Sequence, residues 1–281
     1  MFRRLFVAAS MILPAFHPGS ASAQPRPLPI ATVEGAGAGN VTLETSVDYT
    51  RDVFYTLSGL GGDLWRLALI RIDMGLSSIA DFELSGGLRD HLSIKARVPA
   101  VFSDVLQLSD PTSTSAFDDI VVATKIRLRA ERPEAPGLAV RFGTRLPNAK
   151  HPSGLGQDTT DFYGSLIVGQ PISRAHVTAN AGFGVLGDPL RGDRRVASFL
   201  YGVAIRGPIA SRVTLVAGVD GRTGPMEPGL ESRAIARAGI EWARGPVRVE
   251  LDGTRGLTVP DGHLGAAFTV GYAFHAFTPA P

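Results

Sequence analysis

Residues 41–49 read VTLETSVDY, a stretch in which apolar and polar side chains alternate. The odd positions hold one set and the even positions hold the other, namely Val41, Leu43, Thr45, Val47 and Tyr49 against Thr42, Glu44, Ser46 and Asp48. Successive side chains of a β-strand point to opposite faces of the sheet. The stretch therefore predicts a strand with one apolar face and one polar face.

The same period of two recurs in residues 138–146, 247–253 and 264–276. After residue 23, no apolar run approaches the roughly 18 residues that indicate a transmembrane helix. Two all-β architectures fit such a pattern, a soluble β-sandwich and a transmembrane barrel. Strands of globular proteins average about 5–6 residues, whereas most segments here reach the roughly 9–11 residues with which a tilted strand crosses a bilayer. Strand length therefore favours the barrel.

The predicted connections alternate between short and long. Short turns are predicted at residues 89–91, 131–136, 171–174, 208–211 and 243–246, and longer loops at 51–69, 103–116, 148–158, 187–194, 222–230 and 256–262. Short periplasmic turns and longer extracellular loops are typical of outer-membrane barrels. The sequence predicts an antiparallel transmembrane β-barrel of twelve strands, the even number expected of a bacterial barrel, with both termini on the periplasmic side.

The first short turn has two possible positions. Between residues 70 and 98 the apolar residues keep one parity, which a two-residue turn would reverse and a three-residue turn would keep. The favoured interpretation places a three-residue turn at Arg89-Asp90-His91. The alternative places the turn at residues 75–78 and reads 79–98 as a single strand, and both give twelve strands.

Residues 65–69 are out of phase with the strand that follows them. Trp65, Leu67 and Leu69 occupy odd positions, whereas the apolar set that begins at Ile70 occupies even positions. An extra residue on one strand shifts the alternation, so a β-bulge or the end of a loop is predicted here.

The N-terminus has the layout of a secretory signal peptide. Met1-Phe2-Arg3-Arg4 is basic, an apolar stretch follows, and Ala21-Ser22-Ala23 is a cleavage site of small residues. The next residues are rich in Pro, Ala and Gly and show no periodicity, which predicts a flexible lead-in that does not plug the barrel. The predicted organisation is a signal peptide at 1–23, a flexible periplasmic lead-in at 24–40, the barrel at 41–277 and a C-terminal tail at 278–281.

Composition excludes several classes of protein. The chain has 281 residues, no Cys and a formal net charge of +2. The absence of Cys rules out disulfide scaffolds, thiol catalysis and Cys-ligated metals. The near-zero net charge argues against a nucleic-acid partner. No cofactor is expected.

The histidines do not indicate an enzyme. Those of the mature chain are His91, His151, His176, His263 and His275, and none has a metal-ligand spacing such as H-E-x-x-H. His176 lies on the polar face of its strand, where a lipid hydrolase would need a serine and an acid or amide beside it on adjacent strands. No motif indicates such a set, so the prediction is a protein that is not an enzyme and has no catalytic or metal site.

Glycine is unusually frequent, at 33 residues. Many glycines fall inside the predicted strands, and nearly all of these share the parity of the polar face, with Gly164 and Gly253 as exceptions. Glycine weakens a soluble sheet, but on the inner wall of a closed barrel it makes room for large side chains and for bends of the strands.

If the apolar face contacts lipid, then the polar face lines the lumen. The candidate lumen-lining residues are Arg97, Lys125, Arg127, Arg129, Arg141, Arg145, Arg206, Arg233, Arg237, Arg248, Glu250 and Asp252. Two interpretations stay open: a structural network of ion pairs that fills a narrow barrel, or an arginine ladder that guides anionic or aromatic solutes. The densest positive patch, from Lys125 to Arg145, is the candidate constriction.

Aromatic side chains mark the predicted membrane boundaries. Trp and Tyr concentrate at membrane interfaces, and the candidates here are Tyr49, Trp65, Phe142, Tyr201, Trp242, Tyr272 and Phe274. In the last predicted strand, Thr269, Gly271 and Phe274 resemble the signal by which barrels are recognised for assembly in the outer membrane.

Several segments together resemble one bacterial family. They are GLRDHL at 87–92, FDDI at 117–120, TKIRL at 124–128, AVRFGTRLP at 139–147, GLG at 154–156, TTD at 159–161 and ANAGF at 179–183. This succession is similar to that of the outer-membrane family labelled for the MetA-pathway of phenol degradation. The resemblance spans about residues 65–277. It implies a barrel that takes part in the uptake of aromatic or other hydrophobic compounds.

These observations predict an outer-membrane channel or transporter for small solutes, with aromatic or hydrophobic compounds as candidates. The expected location is the outer membrane of a Gram-negative bacterium, after export through the inner membrane. The expected partners are outer-membrane lipid, the barrel-assembly machinery and a small-molecule solute. The alternatives are a closed barrel with a structural or surface-interaction role and an outer-membrane lipid hydrolase.

Overall fold

The computed structural model describes residues 30–56, 60–94, 113–148, 155 and 158–279. The predicted signal peptide lies outside these residues, as do the first part of the predicted lead-in and the last two residues of the predicted tail. In the described part of the chain, no helix is long and apolar enough to span a membrane. Nearly all of the regular structure consists of strands.

The described residues form thirteen strands. In order they are β1 Asn40–Tyr55, β2 Leu60–Gly75, β3 Ala80–Ile94, β4 Ser113–Ala116, β5 Ile120–Arg129, β6 Gly137–Leu146, β7 Asp161–Ile172, β8 Ala175–Gly187, β9 Arg195–Ala210, β10 Val213–Arg222, β11 Arg233–Arg244, β12 Val247–Gly256 and β13 Leu264–His275. A 3-10 helix, Val259–Asp261, lies between β12 and β13.

The strands close into a barrel. Neighbouring strands of the wall pair antiparallel, and β1 pairs with β13 over a register that runs from Asn40↔His275 to Thr50↔Gly265. The short strand β4 and the longer β5 both pair with β3, so the two share one position in the wall. The barrel therefore has twelve strand positions, which confirms the predicted fold.

The connections define two ends of the barrel. At one end, here called the short-turn end, β1 begins and β13 ends. The same end holds the connections at 76–79, 130–136, 173–174, 211–212 and 245–246. The opposite long-loop end holds longer connections, including 147–160, 188–194, 223–232 and 257–263. The short-turn end corresponds to the predicted periplasmic side.

The favoured position of the first short turn is wrong, and the alternative is confirmed. Arg89, Asp90 and His91 lie inside β3, while the chain turns between Gly75 and Ala80. Gly75 and Asp81 pair across this turn, and an odd number of residues lies between them. The apolar residues therefore keep the same parity on both sides of the turn, as they would with a turn at 89–91. Ser77 stabilises the turn, because its hydroxyl accepts hydrogen bonds from the backbone N–H groups of Ile79 and Ala80.

The predicted irregularity before Ile70 is confirmed as a bulge. Ser46 pairs with Leu69 but Val47 pairs with Leu67, which leaves Ala68 as the extra residue, with a φ of 62°. The predicted loop at 51–69, in contrast, is mostly strand, since β1 continues to Tyr55 and β2 begins at Leu60. A second register shift lies between Thr50 and Val53, and beyond it the two strands pair again as far as Tyr55 and Leu60.

The two faces of the wall have the predicted character. On β1, Leu43 and Val47 are each 41% exposed, whereas Thr42, Glu44 and Ser46 are buried. In a barrel, buried polar side chains point into the lumen, and exposed apolar side chains form the outer surface that contacts lipid.

The N-terminal segment, defined as residues 30–39, lies inside the barrel. Val33 is fully buried and forms one cluster with Ala31 and with two residues of the inner wall, Ala139 and Ile167. The side chain of Ile30 is only 3% exposed. The structure thus differs from the predicted flexible lead-in. The segment is held by contacts with distant strands, which local composition does not reveal.

The glycines of the inner wall make room for this segment. A Cβ atom on Gly169 would lie 3.1 Å from Cγ2 of Val33, and one on Gly202 would lie 3.2 Å from Cγ1 of Ile30. Gly164, in contrast, has the parity of the outer face, and the nearest atom to a Cβ added there would be 4.0 Å away. These glycines of the inner face therefore make room for side chains of the N-terminal segment.

Candidate functional site

The lumen is the candidate site, and ten of the predicted residues face it by strand register. They are Lys125, Arg127, Arg141, Arg145, Arg206, Arg233, Arg237, Arg248, Glu250 and Asp252. Arg97 lies outside the described residues.

Arg129 departs from the predicted lumenal position. Arg127 pairs with Ala139, but after a register shift Arg129 pairs with Leu138, whose side chain has the parity of the outer face. Paired residues share a face of the sheet. The Nε of Arg129 donates a 2.7 Å hydrogen bond to the carbonyl of Pro136. This arginine is therefore an exposed residue of the short-turn rim, because a bulge at Leu128 reverses its direction.

Arg248 is the centre of a buried ion-pair cluster near the short-turn end. Its Nη2 lies 2.6 Å from Oε1 of Glu44, and its Nη1 lies 3.3 Å from Oε2 of Glu241 and also contacts Glu250. Glu241 in turn accepts a 2.9 Å hydrogen bond from Nη2 of Arg206. Burial of unpaired charge is costly, so these partners are needed in the interior.

A second ion-pair cluster joins strands β2, β3 and β6. Glu83 accepts hydrogen bonds from Nε of Arg141 at 2.7 Å and from Nη2 of Arg71 at 3.2 Å. Arg71 also lies 3.3 Å from Asp73. The predicted arginine-rich lumen is thus an interleaved set of positive and negative side chains.

The predicted constriction residues hold the N-terminal segment. The Nζ of Lys125 donates a 2.6 Å hydrogen bond to the carbonyl oxygen of Glu34 and lies 3.4 Å from Asp81. Arg127 pairs with the Glu34 carboxylate, and Asp81 accepts a 3.1 Å hydrogen bond from the N–H of Ala36. These three wall residues therefore bind the segment through both its backbone and its one acidic side chain.

Three further arginines pair with aspartates in the half nearer the long loops. Arg145 lies 2.6 Å from Asp161, Arg233 lies 3.2 Å from Asp261, and Arg237 lies 3.3 Å from Asp220. Asp252 is buried and lines a small cavity of about 140 Å³, together with Arg237 and Arg248.

Ion pairs between side chains also join two of the long loops. Arg194 contacts Glu227 through both terminal nitrogens, with a 3.0 Å hydrogen bond from Nη2 to Oε1, and lies 3.3 Å from Asp188. The hydrogen bond to Glu227 is the main cause that raises the pKa of Arg194 above its usual value. This exposed pair links the loops 188–194 and 223–232 at the rim.

Three larger cavities lie along the lumen. An upper cavity of about 360 Å³ opens toward the long loops, and a middle cavity of about 320 Å³ shares Arg222 and Arg233 with it. A lower cavity of about 420 Å³ lies at the short-turn end. Ile30 lines the middle cavity, while Thr32 and Glu34 line the lower one. The N-terminal segment therefore separates the middle cavity from the lower cavity.

Three residues of these cavities were absent from the sequence-based candidates. Arg222 was assigned to a loop, although it continues the parity of Asp220, which was a usable signal. Arg66 was assigned to the predicted loop at 51–69, and the bulge at Ala68 conceals its phase. Tyr163 lies at the inner wall against Gly143, where the guanidinium of Arg141 stands 5.1 Å from its ring centre.

The predicted interface aromatics lie on the outer wall. The rings of Tyr49 and Trp65 are 4.5 Å apart toward the long-loop end, and those of Tyr272 and Phe274 are 6.1 Å apart at the short-turn end. The other three are Phe142, Tyr201 and Trp242, of which Phe142 is 49% exposed and Trp242 is 38% exposed. Aromatic residues near both ends match the arrangement of membrane-interface belts.

His176 has one of the two neighbours of the predicted hydrolase site, the acid, but not the serine within the described residues. Its Nε2 lies 2.6 Å from Glu131, and its Nδ1 lies 3.3 Å from the hydroxyl of Thr178. Within the described ranges, no serine hydrogen-bonds to this histidine, and no group of His, Asp and Glu has the arrangement of a metal site. The contact between His176 and Glu131 lies at the short-turn end and joins the turn after β5 to strand β8.

Comparison with known proteins identifies a fold and no family. No protein-family model matches the chain, and no curated protein matches its sequence. Among solved structures, the NanC porin aligns with a TM-score of 0.50 and 7% identity over 83% of this chain and 100% of its own. The translocator domain of autotransporter NalP from Neisseria meningitidis gives a TM-score of 0.47 and 13% identity, covering 84% of this chain and 88% of that one.

A FadL homologue from Pseudomonas aeruginosa gives a TM-score of 0.40 and 9% identity over 94% of this chain and 99% of its own. At these identities, the likeness to the NanC porin shows the fold alone. The chain has the fold of the outer-membrane β-barrels of Gram-negative bacteria. The resemblance to the phenol-degradation family stays a prediction.

Proposed function

We propose that this protein is an outer-membrane channel for small solutes, with the lumen as its route. The observation that carries the proposal is the position of the cavities on both sides of the N-terminal segment. The upper and middle cavities extend from the long-loop end as far as Ile30, and the lower cavity extends from the short-turn end as far as Glu34. Among the described residues, a short stretch of irregular chain separates the two sides.

This partition is held by packing and side-chain contacts, whereas the wall is held by strand pairing. Val33 provides its main apolar contact, and Lys125, Arg127 and Asp81 provide its polar contacts. Asn180 adds two hydrogen bonds of 3.0 Å to the backbone of Ala31 when its amide nitrogen faces the Ala31 carbonyl. Because residues 30–36 are not part of the strand ladder, they can leave their place locally without unfolding the barrel, since local opening requires much less free energy than global unfolding.

The surroundings of the channel follow from the same proposal. The predicted signal peptide directs export, and the residues Thr269, Gly271 and Phe274 of the last strand serve recognition by the barrel-assembly machinery. Outer-membrane lipid covers the apolar outer face, and the aromatic residues near the two ends lie at its interfaces. The resemblance to the phenol-degradation family favours aromatic or other hydrophobic compounds as solutes. No cofactor and no catalytic step is required.

A closed structural barrel is the second candidate, favoured by the ion pairs that span the lumen. The clusters around Arg248 and Glu83 fill space between neighbouring strands and stabilise the closed wall. In that case the N-terminal segment would be a permanent part of the interior. A lipid hydrolase is not proposed, because His176 contacts a glutamate and a threonine.

Planar-bilayer conductance and liposome swelling distinguish these two candidates. The proteins to compare are the chain without residues 1–23, a variant that also lacks 24–36, and a control that lacks only 24–29 and keeps the N-terminal segment. We expect the 24–36 deletion to conduct more than the other two, because the partition has been removed. If all three folded barrels show neither conductance nor solute flux, the channel is excluded and the structural role stands.

A further inference from the structure

The guanidinium of Arg222 is a positive charge without a carboxylate partner among the described residues. Its Nη2 donates a 3.2 Å hydrogen bond to the carbonyl of Gly229, and its buried Nε has no hydrogen-bond partner in the part of the chain that is described. Asp220, two residues before it, pairs with Arg237, and Glu231 of the following loop accepts from the N–H of Gly229 at 3.0 Å and from the hydroxyl of Thr56. A buried charge left in this state calls for an anionic ligand.

The neighbouring arginines of the upper cavity are already neutralised. Arg145 pairs with Asp161, and Arg233 pairs with Asp261, although both line the same cavity as Arg222. Arg66, the fourth arginine of this cavity, lies 3.5 Å from Asp90, so Arg222 is the one arginine lining it that has no carboxylate partner among the described residues. The acidic side chains of the cavity would repel any further negative charge on a ligand. This balance suits a monoanion and disfavours a dianion or a phosphate ester.

An apolar surface lies in the same cavity. Val53 and Leu64 belong to a buried cluster against which Tyr55 and Leu155 pack, and all four line the cavity together with Ile235. Ligand pockets combine such apolar walls with a few polar groups that fix the orientation of the ligand. A volume of about 360 Å³ lies within the range of roughly 300–1,000 Å³ that is usual for small-molecule sites.

A second hydrogen-bond donor lies beyond Arg222 in the middle cavity. The hydroxyl of Tyr163 is buried and has no hydrogen-bond partner in the described ranges. Tyr163 and Arg222 both line the middle cavity, whose lower limit is Ile30. Tyr163 and Arg222 therefore both border the path from the upper cavity toward the partition.

We infer that the upper and middle cavities form a binding site for a small organic monoanion with an apolar body, such as an aryl carboxylate. The carboxylate binds Arg222, whose planar fork matches two carboxylate oxygens, and the ring lies against the apolar wall near Leu64 and Ile235. This inference rests on the proposed channel, for which it names the class of solute.

Calorimetric titration of the purified mature protein in detergent tests the site, with protein-free micelles as the blank. The probes are benzoate, benzyl alcohol as its neutral analogue and acetate as a carboxylate without the ring. We expect benzoate to bind the most tightly of the three. R222Q should weaken benzoate binding by about tenfold or more, because a charged hydrogen-bonded pair is lost. R222K, which keeps the charge, should bind benzoate more tightly than R222Q does.

The matched control is R212Q, which removes an exposed arginine from a turn at the opposite end of the barrel. It should leave benzoate binding unchanged, while I235T should weaken the binding of benzoate more than that of acetate. Heat-modifiable migration on a gel shows that each variant is folded.

Equal binding of benzoate by R222Q and the unaltered protein would overturn the site, as would equal binding of benzoate and benzyl alcohol. If the protein shows solute flux but binds no benzoate, the binding site is overturned and the channel proposal stands. If the protein shows no flux but binds benzoate, and R222Q abolishes that binding, the binding site is supported and the channel proposal fails.

Discussion

The ammonium group of Lys125 donates a 2.6 Å hydrogen bond to the backbone carbonyl of Glu34, although 91 residues separate the two in sequence. This contact joins the barrel wall to the chain that precedes its first strand. Lys125 is almost completely buried, and its other partner is Asp81. A lysine that sequence alone assigns to a solute-guiding patch therefore helps to hold the partition of the lumen.

Replacement of Lys125 by methionine should release the N-terminal segment. Loss of a hydrogen bond from a charged group is worth roughly 1.5–3 kcal/mol, so the open population should rise about ten- to a hundredfold. Because the chain contains no Cys, a single T32C substitution reports this opening through the rate of labelling by a hydrophilic maleimide. Labelling of T32C that is equally slow with and without K125M would contradict the role of this contact. R212Q provides the control background.

Introduction of a charge at Val33 should expel the segment from the lumen. Val33 is fully buried against Ala139 and Ile167, and an aspartate there would be buried without a compensating charge. We expect V33D to raise single-channel conductance toward that of the 24–36 deletion. V33A, which removes part of about 1.5–3 kcal/mol of apolar burial, should have an intermediate effect. Unchanged conductance in V33D, with the barrel folded, would show that the segment does not limit the route.

Removal of Arg248 should destabilise the barrel itself. R248M leaves Glu44, Glu241 and Glu250 close together without their shared cation, and breaking a buried ion pair on one side costs about 3–5 kcal/mol. The expected result is a lower temperature at which the fast-migrating folded band disappears from a semi-native gel. R244M, at an exposed position of the same end, is the control and should leave that temperature unchanged. Equal melting of both variants would mean that the Arg248 cluster adds nothing to stability.

Two neighbouring glycines should differ in their tolerance of a large side chain. A Cβ atom on Gly182 would lie 2.6 Å from Cα of Ser165 on the inner wall, whereas the nearest atom to a Cβ on Gly164 is 4.0 Å away. G182L should therefore lower the yield of folded barrel, and G164L, which points toward lipid, should leave it near that of the parent protein. The folded fraction is measured by heat-modifiable mobility. Similar yields for the two variants would contradict the assignment of the two faces.

Much of the fold was accessible from the sequence, because the alternation of side chains is a local property. The parity of Leu43 and Glu44 is enough to assign one to the outer surface and the other to the lumen. The bulge at Ala68 was visible as a change of phase. The first turn was misplaced because parity cannot distinguish two turns that both contain an odd number of residues, and the hydroxyl of Ser77 was the neglected signal.

The contents of the lumen were not accessible in this way. Glu44 and Arg248 are 204 residues apart in the chain, and they meet at 2.6 Å only because β1 and β12 both flank β13 after closure. The N-terminal segment has no periodicity, and its place depends on Val33 meeting Ala139 and Ile167 of distant strands. The sequence by itself determined which way each strand residue points, since that follows from the two-residue repeat of the backbone. Only the tertiary structure decided which side chains pair, which arginine of the upper cavity has no carboxylate partner among the described residues and what separates the cavities of the lumen, because those distances depend on barrel closure and strand register.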